Sequence, residues 1–189
     1  MTSVAAVILA AGGSRRFGSP KALHRCGGAT LVRRAVDAAE SAGCRPVLVV
    51  AGALERGISE ELGRTGAVVV GNPEWEEGMA SSIRAGIARL RATAPGPDAA
   101  IVMLADQPRV DEAILGLLIE RLERGPEPAA ACRYEGILGP PAIFSKSVFF
   151  RLEELTGDEG ARNLLRTGAI SAAAIEFPDG AFDVDSPKS

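Results

Sequence analysis

Residues able to do chemistry gather in one loop of this sequence and at two distant acidic positions. The loop is Gly12-Gly13-Ser14-Arg15-Arg16-Phe17-Gly18-Ser19-Pro20-Lys21. Glycines let backbone N–H groups turn toward a ligand without a Cβ in the way. Arg15, Arg16 and Lys21 add positive charge at the same place, a combination suited to phosphates. The acids are Asp106 and the pair Asp183-Val184-Asp185. In an extended chain Asp183 and Asp185 share a face. A magnesium ion takes few protein carboxylates, completing its shell with phosphate oxygens and water, so Asp106 and Asp185 are the metal candidates. Plainer roles are open for each: a surface loop with incidental charges, a turn or helix-cap role for Asp106 before Pro108, an exposed charge for Asp183.

Two common phosphate loops do not match. In the P-loop, Lys and Ser or Thr follow directly on Gly-x-x-x-x-Gly. Gly13 and Gly18 have that separation, but Ser19-Pro20 intervene before Lys21. The dinucleotide fingerprint Gly-x-Gly-x-x-Gly is absent, because Gly12 and Gly13 are adjacent.

The elements that must position these groups alternate between strand and helix. Val4 to Leu9 is a buried strand running into the loop. Thr30 caps a helix carrying Leu31, Ala35, Ala38 and Ala42 and ending at Gly43. Strands follow at 46–51 and 67–70, with a short helix near 54–62 between them. A helix begins at Met79, with Ala80, Ile83, Ile87 and Leu90 on one face, and stops at Pro95. The run 98–105 is apolar after Asp98, which predicts a central parallel strand, and it ends at Asp106-Gln107-Pro108. Asp111 caps the next helix, which ends at Gly125. A further strand is expected over 126–133, a hairpin or substrate loop over 134–144, a short helix at 148–155 and another capped by Asp158. This alternation predicts a single domain over residues 1–189: a three-layer α/β/α, Rossmann-like arrangement with a mostly parallel sheet. Such sheets bind ligands beyond the carboxyl ends of their strands, where both the glycine loop and Asp106 fall.

Bulk properties narrow the function. The 189 residues are 47% apolar and 24% charged, with a formal net charge of −3. That composition is globular, and the charge points away from nucleic acid. No apolar run reaches the ~18 residues of a membrane span, and the N-terminal run lacks the form of a secretory signal. Cys26, Cys44 and Cys132 make neither a disulfide framework nor a zinc pattern, so reduced thiols and a cytoplasmic location are expected. The single His24 suits a structural role better than a catalytic one.

The stretch Leu9-Ala-Ala-Gly-x-Ser-x-Arg-Phe-Gly-x-x-Lys21 resembles the signature of MobA-like NTP transferases, typified by the molybdenum cofactor cytidylyltransferases. Leu104-Ala-Asp-Gln-Pro108 is similar to that family's metal-binding segment, and Asp183-Val-Asp-Ser-Pro187 to its C-terminal acidic motif. Asn72-Pro-x-Trp-x-x-Gly-Met-x-x-Ser82 and Gly157-Asp-Glu-Gly-Ala-Arg162 extend the resemblance along nearly the whole chain. The resemblance implies the nucleotide-diphospho-sugar transferase type of fold. It implies that Leu9, Ala10, Ala11, Gly12, Gly13, Ser14 and Arg15 wrap the nucleotide, with Ala10 to Gly12 at base and ribose. It makes Arg16 and Lys21 the catalytic cations and Asp106 and Asp185 the Mg2+ ligands. It also brings Asn72, Gly78 and Ser82 to the nucleotide. On the residues alone, Ser81 and Ser82 can equally cap a helix, and Trp75 and Met79 read as core or lid packing.

The expected activity is transfer of CMP from CTP to a phosphorylated acceptor, molybdopterin, with release of pyrophosphate and hand-over of product to a molybdoenzyme or chaperone. Ala11 stands where guanylyl enzymes of the family resemble Leu-Ala-Gly-Gly, and its methyl group favours a pyrimidine. GTP, another acceptor, or a non-catalytic nucleotide-binding accessory role are the alternatives. Toward the acceptor, Gly139-Pro140-Pro141 replaces the family's Gly-His-Pro, and Ser186 its Thr. Gly139, Pro140 and Arg162 are the candidate acceptor contacts, with Arg162 alternatively bracing the C-terminal segment.

Overall fold

A computed structural model describes residues 2–12, 21–158 and 160–182. Its strands are β1 (Val4–Leu9), β2 (Arg25–Cys26), β3 (Ala29–Thr30), β4 (Val47–Ala51), β5 (Val68–Gly71), β6 (Ala99–Leu104), β7 (Ala129–Tyr134), β8 (Ile137–Ser145) and β9 (Ala172–Glu176). Its helices are α1 (Leu31–Ser41), α2 (Glu55–Leu62), α3 (Met79–Arg91), α4 (Glu112–Arg124), α5 (Phe149–Glu153) and α6 (Gly160–Arg166). Seven strands form one sheet in the order β5-β4-β1-β6-β8-β7-β9, and β2 and β3 pair separately.

Strand β1 shows why the sheet is covered on both sides. All six of its residues are buried, and side chains alternate between the two faces. Val4, Ala6 and Ile8 share one hydrophobic cluster with Val36 of α1, Ile58 of α2 and Leu115 of α4. Ala5, Val7 and Leu9 share the other with Ile83 of α3, Leu152 of α5 and Leu165 of α6. A three-layer α/β/α sandwich follows from that alternation. Ile83, Ile87 and Leu90 of α3 are wholly buried, and each contributes roughly 1.5–3 kcal/mol of apolar burial.

Register decides where the site can be. Leu9 at the end of β1 lies opposite Val50 of β4 on one side and Leu104 of β6 on the other, all in parallel pairing. The chain therefore leaves β1 and β6 at the same level. Ala10 N–H donates to the Val50 carbonyl at 2.9 Å and Ala105 N–H to the Leu9 carbonyl at 3.2 Å. The glycine loop and Asp106 begin side by side as a result.

Three details differ from the sequence reading. Strand β6 is central, as expected, but only its β1 side is parallel; β8 runs antiparallel to it as the return arm of the 134–144 hairpin. Strand β9 was not anticipated and pairs parallel to β7; its Ala172-Ala-Ala run carries no β-branched signal until Ile175. Asp158 Oδ1 accepts from Met79 N–H of α3 at 3.3 Å, a distant partner that its sequence position does not suggest; the cap expected of it on the following helix adjoins residue 159, outside the described residues. Thr30 and Asp111 cap α1 and α4 as their sequence positions predict. Burial pushes the Cys44 thiol up to about 11 and that of Cys132 up to about 12, so both stay protonated at neutral pH. Among the described residues no helix is long and apolar enough to cross a membrane.

Helix α3 packs on β1 at a glycine: a Cβ on Gly86 would collide with Val7 Cγ1 and lie 3.3 Å from Val50 Cγ2. Helix propensity alone would reward a side chain there by up to ~1 kcal/mol. We expect Gly86→Val to lose about 1–3 kcal/mol through overpacking, seen as a lower urea midpoint at constant slope. An unchanged midpoint would put α3 farther from the sheet than described.

Candidate active site

A cleft of about 620 Å³ opens beyond the carboxyl ends of β1 and β6. Its wall includes Leu9, Ala10, Ala11 and Gly12 from the end of β1, and Lys21 and Ala22 where the chain returns. Leu104, Ala105 and Asp106 come from the end of β6, and Trp75 to Met79 and Ser82 from α3 and the turn before it. Asp158 completes it. Gly13, Ser14, Arg15 and Arg16 lie outside the described residues, as does Asp185.

Lys21 and Asp106 meet in this cleft. Lys21 Nζ stands 2.8 Å from Asp106 Oδ2, with side-chain exposures of 18% and 27%. Surface ion pairs contribute only about 0–1 kcal/mol, so the stability gained is a poor reason for this pair. The other carboxylate oxygen, Asp106 Oδ1, is buried and has no hydrogen-bond partner among the described residues. A bare, buried anionic oxygen beside a cleft fits a hard cation, which takes oxygen donors and keeps most of its shell for water or phosphate. No group of three metal-ligating side chains occurs among the described residues.

The turn before α3 is held from behind. Asn72 is buried; its Nδ2 donates to Ser81 Oγ at 2.9 Å and to Ser82 Oγ at 3.1 Å, and its Oδ1 accepts from Glu74 N–H at 3.0 Å. Ser82 lines the cleft, whereas Asn72 supports it from underneath. Ser81 and Ser82 sit within α3, so neither is its N-cap. Arg84 locks the outer side: its guanidinium donates to Glu77 at 2.6 Å, to Glu74 at 3.3 Å and to the Leu155 carbonyl at 2.8 Å. That guanidinium holds the Glu77 carboxyl below its ordinary value.

The start of α3 is closed by the 157–158 turn. Ala80 N–H donates to the Gly157 carbonyl at 3.2 Å beside the Met79–Asp158 bond. Gly78 has φ +126°, and a Cβ on it would stand 2.6 Å from the Gly157 carbonyl oxygen. Glycine is the residue that permits both the angle and the approach.

A second cleft of about 200 Å³ adjoins the first, sharing Leu9, Met79, Leu104 and Asp158. Its own walls are apolar apart from Arg162, and include Ile83, Val102, Pro140, Ala142, Ala161 and Leu165. Gly139 lines neither cleft. It lies under the Tyr134 hydroxyl, and a Cβ there would also stand 3.3 Å from Arg162 Nη2. Arg162 Nη2 in turn reaches the Tyr134 hydroxyl at 3.5 Å. Burial raises the Tyr134 pKa above its ordinary value, so the phenol stays protonated at neutral pH.

Gln107 was not singled out from the sequence, although it sits between Asp106 and Pro108. Its Nε2 donates to the Pro140 carbonyl at 3.2 Å and to the Gly180 carbonyl at 2.8 Å. Arg109 adds an ion pair to Asp179 and stacks over the Phe182 ring at 4.1 Å. The last described residues are thus clasped against the loop that carries Asp106. Arg84 was missed as well: its partners Glu74 and Glu77 lie before the Gly78 break and outside α3, so no helical spacing marks the pairing.

Comparison with known proteins identifies a family and several relatives. A family model described as the MobA-like NTP transferase domain matches residues 6–173. The chain is 33% identical to the purine catabolism protein PucB of Bacillus subtilis, over 96% of this chain and 91% of that protein. It is 30% identical to the nicotine blue oxidoreductase of Paenarthrobacter nicotinovorans, over 86% and 81%. The crystal structure of Rv0371c from Mycobacterium tuberculosis superposes with a TM-score of 0.81 at 31% identity, covering 98% of this chain and 93% of that one. A further structure of Rv0371c is a complex with manganese, with a TM-score of 0.75 at 28% identity, covering 93% and 89%.

Removing Asn72 leaves the Glu74 N–H and the Ser82 hydroxyl without this partner. We expect Asn72→Ala to cost about 1–3 kcal/mol, read as a lower thermal midpoint. Unaltered stability would mean that water or a neighbour replaces the amide at no cost.

Proposed function

Because this chain belongs to the MobA-like NTP transferase family, we propose that it transfers CMP from CTP to a phosphorylated small molecule, molybdopterin, releasing pyrophosphate. The observation that carries the reading is the Lys21–Asp106 pair, with its bare Oδ1, in the cleft at the end of β1 and β6. Nucleotidyl transfer follows from the family.

In this mechanism an oxygen of the acceptor phosphate attacks the α-phosphorus. The bond to the bridging oxygen toward the β-phosphorus breaks, and pyrophosphate leaves with that electron pair. No covalent enzyme intermediate is required. Lys21 Nζ, with Arg16 from the loop, offsets charge on the triphosphate and on the leaving group. Asp106, joined by Asp185, would hold a divalent cation, magnesium by its preference for oxygen donors, that neutralises phosphate charge when bound. The manganese complex of Rv0371c supports a divalent cation in a related protein. Asp106 also keeps Lys21 in place. Ala10, Ala11 and Gly12 present a close-fitting wall for base and ribose. The Ala11 methyl narrows it toward a pyrimidine, a preference worth roughly 1–3 kcal/mol.

A second acceptor reading is favoured by one observation: the second cleft is walled by Pro140 and apolar side chains where the family's Gly-His-Pro would offer an imidazole. On that reading the same transfer goes to another phosphorylated acceptor, or uses GTP.

Pyrophosphate release with each nucleoside triphosphate and magnesium, with and without molybdopterin, tests both readings. The expected result is release that requires CTP and molybdopterin together. Release with CTP and a different acceptor would select the second reading, and none with any pair would remove turnover altogether. Lys21→Ala and Asp106→Asn should each lower kcat by about 10²–10³-fold or more while the thermal midpoint stays near that of the parent. Ordinary turnover by either variant would take that residue out of the mechanism.

A further inference from the structure

Trp75 is the one tryptophan in the chain and the one aromatic side chain among the described residues lining the larger cleft. A large aromatic ring in a site otherwise made of small, aliphatic, methionine and charged side chains needs a reason. Core packing does not supply it, because Trp75 is only half-buried.

Its placement is built rather than incidental. The short turn Trp75–Glu77 is fixed on its inner side by Asn72, and on its outer side by Arg84 through Glu74 and Glu77. The side chain comes down on Gly52, just past the end of β4. A Cβ at Gly52 would stand 2.6 Å from Trp75 Cγ and 2.9 Å from the Ala11 carbonyl oxygen. Glycine at this position is what lets the indole reach the Ala10-Ala11-Gly12 wall.

We infer that Trp75 is the platform on which the nucleobase stacks, with Gly52 making room for it. The inference rests on the nucleotide-transfer reading and deepens it. Stacking is tolerant of base identity because every base has a π-face. Trp75 therefore supplies affinity for the base of any nucleoside triphosphate, and the choice among bases is left to the edge contacts at Ala10 to Gly12.

The test uses the intact protein, its single-tryptophan emission and calorimetry, with magnesium CTP, magnesium GTP and magnesium tripolyphosphate as probes. The last carries three phosphates and no base. CTP and GTP are expected to quench Trp75. Trp75→Ala should weaken CTP roughly 5- to 150-fold, the usual cost of a lost base–aromatic stack, and leave the tripolyphosphate Kd unchanged. Trp75→Phe should restore most of the CTP affinity. Gly52→Ala, which pushes the indole aside, should weaken CTP and spare tripolyphosphate in the same way. Equal weakening of both probes by Trp75→Ala would mark a merely structural role and overturn the inference, as would an unchanged CTP Kd. Should the parent protein bind tripolyphosphate but no nucleoside triphosphate, or neither, the nucleotide reading itself falls and takes this inference with it.

Discussion

The parallel pairing of β1 with β6, in register to their last residues, is the constraint from which the site follows. Two strands that end level deliver two loops to one place. One loop carries Lys21 back to the cleft, the other carries Asp106, and the two charged groups touch. Were the register shifted by a residue, the alternation of β1 would present the wrong side chains to each helical layer. Buried packing on both faces therefore guards the alignment on which the cleft depends. The energetics are lopsided: several fully buried aliphatic side chains fix the frame, while the ion pair it positions adds little to stability.

A further organising principle is that the larger cleft is reinforced from outside. Asn72 lies beneath Ser82, Arg84 grips the turn bearing Trp75, and the 157–158 turn closes the start of α3. Gln107 and Arg109 fasten the chain near residue 180 to the loop after β6. Groups facing the ligand are few, and the ones behind them are many. This is the arrangement expected when catalysis relies on positioning and fixed charge more than on a reactive side chain.

Much of this was legible in the sequence, for identifiable reasons. Local rules found β1, α1, α3, β6 and α4, because periodicity and caps at Thr30 and Asp111 are short-range signals. The placing of Lys21 with Asp106 was legible because both follow strands whose carboxyl ends share one edge of the sheet. What escaped notice depends on partners far along the chain. The Asp158 carboxylate accepts from a helix 79 residues earlier, which nothing next to it in the chain announces. Nothing local marks Gln107 as a bridge to residues 140 and 180, or Gly52 as the seat of an indole. Strand β9 escaped because three consecutive alanines favour helix as much as strand, and only the exposed edge of β7 makes them extended. The family resemblance reached Arg16 and Asp185, which lie outside the described residues.

The two clefts share one partition, formed by Leu9, Met79, Leu104 and Asp158. Substitutions in that partition are felt on both sides at once, so it is poor ground for altering one specificity without disturbing the other. The far wall is different: Pro140, Ala142, Ala161, Arg162 and Leu165 border the smaller cavity alone. Recognition of a small molecule can be remodelled along that wall while the larger cleft stays intact, so a single scaffold can diversify in one direction only.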